Sequence, residues 1–159
     1  MKKLVLFLLI LVPISLPAAA QRVEAYGGFQ FTHLQPGYNA GGWNLALTGN
    51  FKHFLGITGD FSGAYKSNAD FHSYTFGPVV TARLPVVQPF VHALFGGATL
   101  SGSGITNSGF AMLLGGGLDF GLRRGIGFRV FQADWLSTKF EGVTNNNNGR
   151  ISTGIVLKF

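Results

Sequence analysis

Apolar and polar residues alternate strictly along eight separate stretches of the chain. In the first stretch, Val23, Phe29 and Phe31 fall on one face, and Glu24 and Gln30 fall on the other. A period of two residues is typical of a β-strand with one apolar and one polar face. Each stretch is 10 to 13 residues long. The eight predicted strands cover residues 22–32, 42–51, 55–65, 71–83, 89–99, 109–120, 125–136 and 149–159.

The connections between these strands alternate between two kinds. The short ones are 52–53, 84–88 and 121–124, and the mostly longer, polar ones are 34–41, 66–70, 100–108 and 137–148. An even number of such strands, with short turns at one end and longer loops at the other, is typical of a bacterial outer-membrane barrel. In hydrocarbon the first strand must pair with the last, because an open edge leaves amides without partners. The sequence therefore predicts an all-β fold, an eight-stranded antiparallel up-and-down transmembrane β-barrel.

Two of the predicted strands depart from simple alternation. In the seventh strand, uninterrupted alternation would turn Gln132 and Asp134 toward lipid, where a charged side chain costs up to about 2–4 kcal/mol at mid-membrane. One extra residue near Val130 and Phe131 would turn both polar side chains inward, so we predict a β-bulge there. In the fourth strand, Pro78 removes a ladder donor, and a bulge is expected at that position too.

The first twenty residues have the three parts of a secretory signal. Lys2 and Lys3 precede an apolar run at 4–12, and three alanines at 18–20 form a small-residue cleavage site before Gln21. The apolar run is too short to span the ~30 Å of bilayer hydrocarbon. We therefore expect a signal peptide at 1–20 and one barrel domain at 21–159, exported to the bacterial outer membrane.

Charge and cysteine content exclude several classes of protein. After the predicted signal, ten scattered basic residues accompany six acidic ones, so no nucleic-acid partner is expected. The chain has no cysteine, which excludes a disulfide framework and a thiol nucleophile. Its 24 glycines and 16 phenylalanines, with only 11% charged residues, favour β-structure with an apolar exterior.

Several segments resemble a known family. They are "GWNLALTGNF", "LGITGDFSG", "QPFVHALFGGA", "GGGLDFGL", "FRVFQADWLST" and the final "GIVLKF". These segments are similar to the OmpA-type small eight-stranded outer-membrane β-barrel domain family, and the resemblance covers residues 22–159. It implies a stand-alone barrel without a periplasmic domain, and it implies that Phe159 is an assembly signal read by the outer-membrane assembly machinery. We expect a monomer surrounded by outer-membrane lipids.

Ionisable and amide side chains are predicted to meet inside the barrel. An eight-stranded barrel has an interior just wide enough to be filled by side chains. We expect these groups to form a hydrogen-bonded plug that fixes strand register, with Arg129 paired to Asp119 on the adjoining strand. A gated polar path or proton relay is the alternative. The predicted lumen network is Glu24, Asp60, Arg83, His92, Asp119, Arg129, Gln132 and Asp134.

Signatures of catalysis and of metal binding are sparse. His72 and Ser73 are neighbours on one strand, and adjacent strand residues point to opposite faces. His33, His53 and His92 lie on different elements, and no carboxylate has metal-ligand spacing to them. We therefore expect no catalytic residue, no cofactor and no metal.

The sequence thus predicts an outer-membrane barrel with a structural role or a role in loop-mediated contacts. The pattern is also compatible with a narrow pore through the barrel. Two alternatives belong to other classes. A lipid-modifying outer-membrane enzyme would need Ser73 or Ser137 beside a loop-side histidine. A soluble lipocalin-like carrier would place the apolar face inside, around a ligand.

Overall fold

The computed structural model describes residues 22–123 and 125–159, which form one closed antiparallel barrel. Each strand pairs with its neighbours in the chain, and β1 pairs with β8 from Glu24–Lys158 to His33–Gly149. The predicted fold class is confirmed. The predicted signal peptide at 1–20 lies outside the described residues. The strands are β1 (Arg22–Leu34), β2 (Tyr38–Asn50), β3 (Leu55–Lys66), β4 (Ala69–Thr81), β5 (Val87–Gly102), β6 (Ile105–Arg123), β7 (Ile126–Phe140) and β8 (Val143–Lys158).

The outer face of the barrel is apolar and the inner face is largely polar. Leu47, Phe76 and Ile155 are each more than half exposed, whereas Gln30 and Asn44 are fully buried inside. A water-soluble monomer rarely exposes so extended an apolar surface to water. Such a surface indicates contact with a membrane or with a partner protein. Among the described residues, no helix is long and apolar enough to cross a membrane.

The predicted bulge in β7 is confirmed. Arg129 pairs with Asp119 on β6, but Phe131 pairs with the adjacent Leu118, so the intervening Val130 has no counterpart on β6. Val130 and Phe131 are both exposed, at 42% and 47%, while Gln132 is only 1% exposed. The extra residue reverses the phase of the strand and keeps its polar side chains out of the apolar belt.

The bulge expected at Pro78 is not formed. The register between β4 and β5 runs from Phe76–Phe95 to Val79–His92, with two residues between these pairs on each strand. Pro78 therefore interrupts the ladder without adding a residue, because a missing N–H removes a hydrogen bond but does not require a shift in register.

The prediction of long loops at one end of the barrel is wrong, because most of the residues assigned to those loops extend the strands. The turns at this end, which we call the distal end, are only 35–37, 67–68, 103–104 and 141–142. The last two are hairpin turns with positive φ at both central positions: Ser103 at 50° and Gly104 at 78°, and Glu141 at 47° and Gly142 at 84°. Such turns match the twist of paired strands. The opposite end, which carries Arg22 and Phe159, is the terminal end.

Glycines on the inner face permit the tight curvature of this small barrel. A Cβ atom at Gly42 on β2 would lie 1.8 Å from the carbonyl oxygen of Gly63, whereas one at Gly49 on the same strand would meet nothing within 4 Å. We expect Gly42→Ala to lower the free energy of unfolding by at least about 1–3 kcal/mol, since backbone must move to admit the methyl group.

Urea titration of the refolded protein measures this effect. Gly49→Ala is the matched control on the same strand and should change stability by no more than about 0.5 kcal/mol. Equal effects of the two substitutions would show that close backbone approach at Gly42 does not limit the fold.

Candidate functional site: the charged network in the lumen

Arg150 is the centre of the charged network inside the barrel. Its NH1 and NH2 groups donate to the two oxygens of Asp60, at 2.6 and 3.0 Å, and its Nε and NH2 groups donate to Oδ2 of Asp134, at 2.8 and 2.6 Å. Arg150 is only 2% exposed. The planar guanidinium thus joins carboxylates on β3 and β7 across the lumen, which a lysine ammonium could not do with the same geometry.

Both carboxylates bound by Arg150, those of Asp60 and Asp134, accept further hydrogen bonds. The Nε2 atom of His92 donates to Oδ1 of Asp134 at 2.7 Å, and the amide of Gln132 donates to its Oδ2 atom at 2.8 Å. The amide of Asn44 donates to Asp60 at 3.0 Å. Buried charges are tolerated only when they are paired and hydrogen-bonded, and these two satisfy that condition.

Arg129 forms a second ion pair next to this centre. It donates to both oxygens of Asp119, from Nε at 2.7 Å and from NH2 at 3.0 Å, and from NH1 to Gln132 at 2.6 Å. The expected Arg129–Asp119 pair is therefore present. The guanidinium also makes cation–π contacts with two aromatic rings, 4.3 Å from the centroid of Tyr26 and 4.2 Å from that of Phe90. These two contacts help to fix its position.

A third group of polar side chains lies toward the terminal end. Arg83 is 2.8 Å from Glu24, which also accepts a hydrogen bond from the amide of Asn50 at 3.1 Å. Lys158 donates to the side-chain oxygen of Gln88. The described lumen thus contains equal numbers of carboxylates and of arginine or lysine cations. They are Glu24, Asp60, Asp119 and Asp134 against Arg83, Arg129, Arg150 and Lys158.

Seven of the eight residues predicted for the lumen are buried on strands, with their side chains inside the barrel. Arg83 lies just past the end of β4, where its side chain contacts Glu24 and donates from Nε to the carbonyl of His53 at 2.8 Å.

Arg150, the residue that joins the network, was not among the eight residues predicted for the lumen. Arg150 lies in phase with the inward residues Ser152 and Val156 of β8. Arg150 lies within the predicted last strand, 149–159, so assigning it to the inward face of that strand would have found it. The run 144–148 was assigned to a loop, which placed Arg150 next to the start of the predicted strand.

Apolar side chains fill the lumen beyond the charged network. Leu94, Leu113 and Leu136 pack with Phe71 and Leu34 in a buried cluster that extends toward the distal end, which we call the apolar plug. The cavity among the charged residues has a volume of only about 10 Å³, which is room for about one water molecule. Within the described residues, ion pairs and the apolar plug therefore occupy the barrel interior. A lipocalin-like carrier would need a ligand-sized cavity there.

Among the described residues, neither of the serines that a lipid-modifying enzyme would need has its hydroxyl hydrogen-bonded to a histidine. Ser73 lies inside the barrel with its hydroxyl 2.8 Å from that of Ser62, while His72 lies on the outside, 3.2 Å from the hydroxyl of Tyr65. Ser137 donates to the side-chain oxygen of Asn146 at 2.6 Å. In the described part of the chain, no group of three or more histidine, aspartate and glutamate residues could hold a metal ion.

Comparison with solved structures identifies the architecture. The attachment invasion locus protein Ail of Yersinia pestis, an outer membrane protein, matches with a TM-score of 0.58 and 21% identity, over 87% of this chain and 99% of that chain. The chain has the fold of the small outer-membrane β-barrels. Neisserial surface protein A matches with a TM-score of 0.60 and 16% identity, over 87% of this chain and 97% of that one.

A third match is the N-terminal β-barrel domain of OprF from Pseudomonas aeruginosa, with a TM-score of 0.63 and 11% identity, over 87% of this chain and 97% of that domain. No family model matches the sequence, and no curated protein matches it. At these identities the likeness concerns the fold. The architecture expected from the resemblance to OmpA-type barrels is thus confirmed, and the role of the chain must be argued from its own residues.

Proposed function

We propose that this protein is a sealed structural barrel of the bacterial outer membrane, which supports membrane integrity and conducts no solutes. The observation that carries the proposal is the packed lumen, in which Arg150 joins Asp60 to Asp134 and the apolar plug lies beyond them. A pore would need a continuous hydrated path, and the space among the charged residues holds about one water molecule.

The height of the apolar belt supports a position in the membrane. On β1 the outward apolar residues run from Val23 to Phe31, a distance of roughly 27 Å along the strand. At a strand tilt of about 40° this corresponds to about 20 Å along the barrel axis, close to the apolar band of outer-membrane barrels. Exposed Phe51, Trp43 and Phe159 supply aromatic residues of the kind that lie at membrane interfaces.

The assembly and partner expectations fit this role. We propose that outer-membrane lipids surround a monomeric barrel and that the assembly machinery reads the carboxyl-terminal Phe159 during biogenesis. Phe159 lies at the terminal end, where its N–H donates to the carbonyl of Val23 at 2.8 Å, while its side chain stays 76% exposed. An exposed terminal ring is available for recognition before or after the barrel closes.

Contacts made by the distal hairpins are the alternative to a purely structural role. The distal segments of the strands continue beyond the apolar belt as paired polar ladders, such as Ser101 with Thr106 at 3.2 Å. Ail was solved in complex with a heparin analogue, sucrose octasulfate. In this chain, the charged distal residues Lys66, Asp70, Lys139 and Glu141 balance one another. Their balance disfavours recognition of a sulfated sugar and favours the structural role.

Planar-bilayer recording of the purified, refolded protein tests the sealed lumen. We expect no discrete conductance steps at any applied voltage, because ion pairs and the apolar plug fill the described lumen. A general porin added to the same membrane is the positive control. Reproducible current steps whose frequency rises with the amount of this protein would overturn the proposal.

A further inference from the structure

A groove runs along the outer face of the barrel beside Gly149. Gly149 on β8 pairs with Trp135 on β7 and with His33 on β1, so it leaves a gap between two outward side chains. Phe31 and Ile151 complete the walls. The groove has a volume of about 570 Å³ and opens away from the lumen. We name it the Gly149 groove.

The backbone does not require a glycine at this position. A Cβ atom at Gly149 would have its nearest neighbour, the carbonyl oxygen of Asp134, at 3.9 Å. This is ordinary van der Waals contact, unlike the severe overlap at Gly42. A larger residue would thus fit locally and would fill the groove. The open space is therefore a property of the outer surface, independent of barrel curvature.

One wall of the groove, Trp135, is held in position by a hydrogen bond. The indole N–H of Trp135 donates to the backbone carbonyl of Asn146, where β8 has a second irregularity in register between Leu136–Asn148 and Thr138–Asn145. A wall fixed by a hydrogen bond to the neighbouring strand keeps its shape when a ligand binds, which lowers the entropic cost of binding.

A cation lies on the distal side of the groove. Lys139 follows Trp135 and Ser137 on the outward face of β7, about 14 Å along the strand from Trp135. Among the described residues, Lys139 takes part in none of the ion pairs. The nearest acidic residue along the chain, Glu141, lies in the β7–β8 turn.

We propose that the Gly149 groove binds one acyl chain of a membrane lipid whose anionic phosphate headgroup lies near Lys139. This inference rests on the proposed position of the barrel in a membrane. There the groove would open onto hydrocarbon, and an acyl chain is the ligand of matching polarity. A cation near the membrane surface attracts anionic lipids, and a lysine interacts with phosphate as a point charge. Because a zwitterionic headgroup carries an ammonium that offsets its phosphate, the Lys139 cation favours a lipid with a net negative charge.

Quenching of Trp135 fluorescence by brominated lipids tests the proposal. The chain has two tryptophans, so Trp43→Phe leaves Trp135 as the single reporter. The refolded protein is placed in phosphatidylcholine vesicles that contain the same mole fraction of brominated phosphatidylglycerol or of brominated phosphatidylcholine. At equal mole fraction we expect brominated phosphatidylglycerol to quench Trp135 more strongly than brominated phosphatidylcholine. The difference should correspond to an about fivefold higher relative affinity for the site.

Substitutions in the same background separate the contributions of acyl chain and headgroup. Gly149→Leu should abolish the preference by filling the groove, and Lys139→Gln should reduce it by removing the cation. Gly49→Leu, at an outward glycine with equally open space on β2, should leave it unchanged. Lys139→Gln keeps the test decisive if Gly149→Leu fails to fold.

The outcomes distinguish this proposal from the one on which it rests. Equal quenching by the two lipids would overturn the groove site and leave the membrane position intact. Absence of quenching by either lipid would overturn both. A preference that survives Gly149→Leu and Lys139→Gln would show that the anionic lipid binds elsewhere.

Discussion

Replacing Arg150 with methionine is expected to lower the free energy of unfolding by roughly 3–5 kcal/mol, because the change leaves two buried carboxylates without their shared cation. Asp60 and Asp134 are 1% and 4% exposed, so water cannot solvate them in place of the guanidinium. Urea titration of the refolded protein in lipid vesicles, followed by tryptophan fluorescence, measures the loss.

Two further variants test the cause of that loss. Lys52→Met removes an exposed cation that takes part in none of the ion pairs of the described residues and should change stability by no more than about 0.5 kcal/mol. Adding Asp60→Asn and Asp134→Asn to Arg150→Met should recover much of the stability, because an apolar or neutral replacement of a whole buried ion pair is often neutral. If Arg150→Met alone were as stable as the unsubstituted chain, the charged network would not hold the barrel together.

The inner and outer faces could be predicted because a membrane barrel imposes one strong rule on sequence. Val23, Phe29 and Phe31 had to face away from Glu24 and Gln30, and the structure places them so. The same rule indicated an irregularity in β7, because uninterrupted alternation would have turned the charged side chain of Asp134 toward lipid. That conflict was enough to locate the bulge at Val130 and Phe131.

The strand ends could not be predicted by the same rule, because it weakens outside the apolar belt. In the distal part of β5 and β6, the paired residues Thr99 and Ser108 are both polar and both point outward. The outer face there is no longer apolar, so the alternation of apolar and polar residues that predicts a strand is lost. The two-residue turns then depend on backbone conformation at Ser103 and Glu141, which adopt positive φ without being glycine. Polar composition alone made these segments resemble loops.

Arg150 was missed for a related reason. It follows a run of four asparagines and a glycine, a composition that favours turns. Its role also depends on Asp60, which is 90 residues away in the chain and reaches it only across the closed lumen. A contact of that kind depends on the tilt and register of the whole barrel, and no local pattern reports it.

Introducing a charge on the outer face is the most direct test of the proposed membrane position. Leu47 lies on β2, midway in the sequence between the exposed aromatic residues Trp43, on the same strand, and Phe51, just after it. Its side chain is 56% exposed. In lipid vesicles we expect Leu47→Arg to lower the free energy of unfolding by about 2–4 kcal/mol, because the guanidinium would lie in hydrocarbon. Urea titration, with a protease-protection assay of the vesicle-inserted barrel, measures the effect.

A comparison between two depths decides whether lipid or water surrounds this residue. Val23→Arg places the same charge at the terminal end of β1, where the cost should fall to about 0–1 kcal/mol near the membrane interface. In a water-soluble particle both sites would be ordinary surface positions, and an arginine there would change stability by no more than about 0.5 kcal/mol. Equal and small effects at Leu47 and Val23 would therefore show that the apolar face does not contact acyl chains. A penalty at Leu47 that disappears at Val23 requires a hydrocarbon layer bounded along the barrel axis, and only a bilayer supplies one.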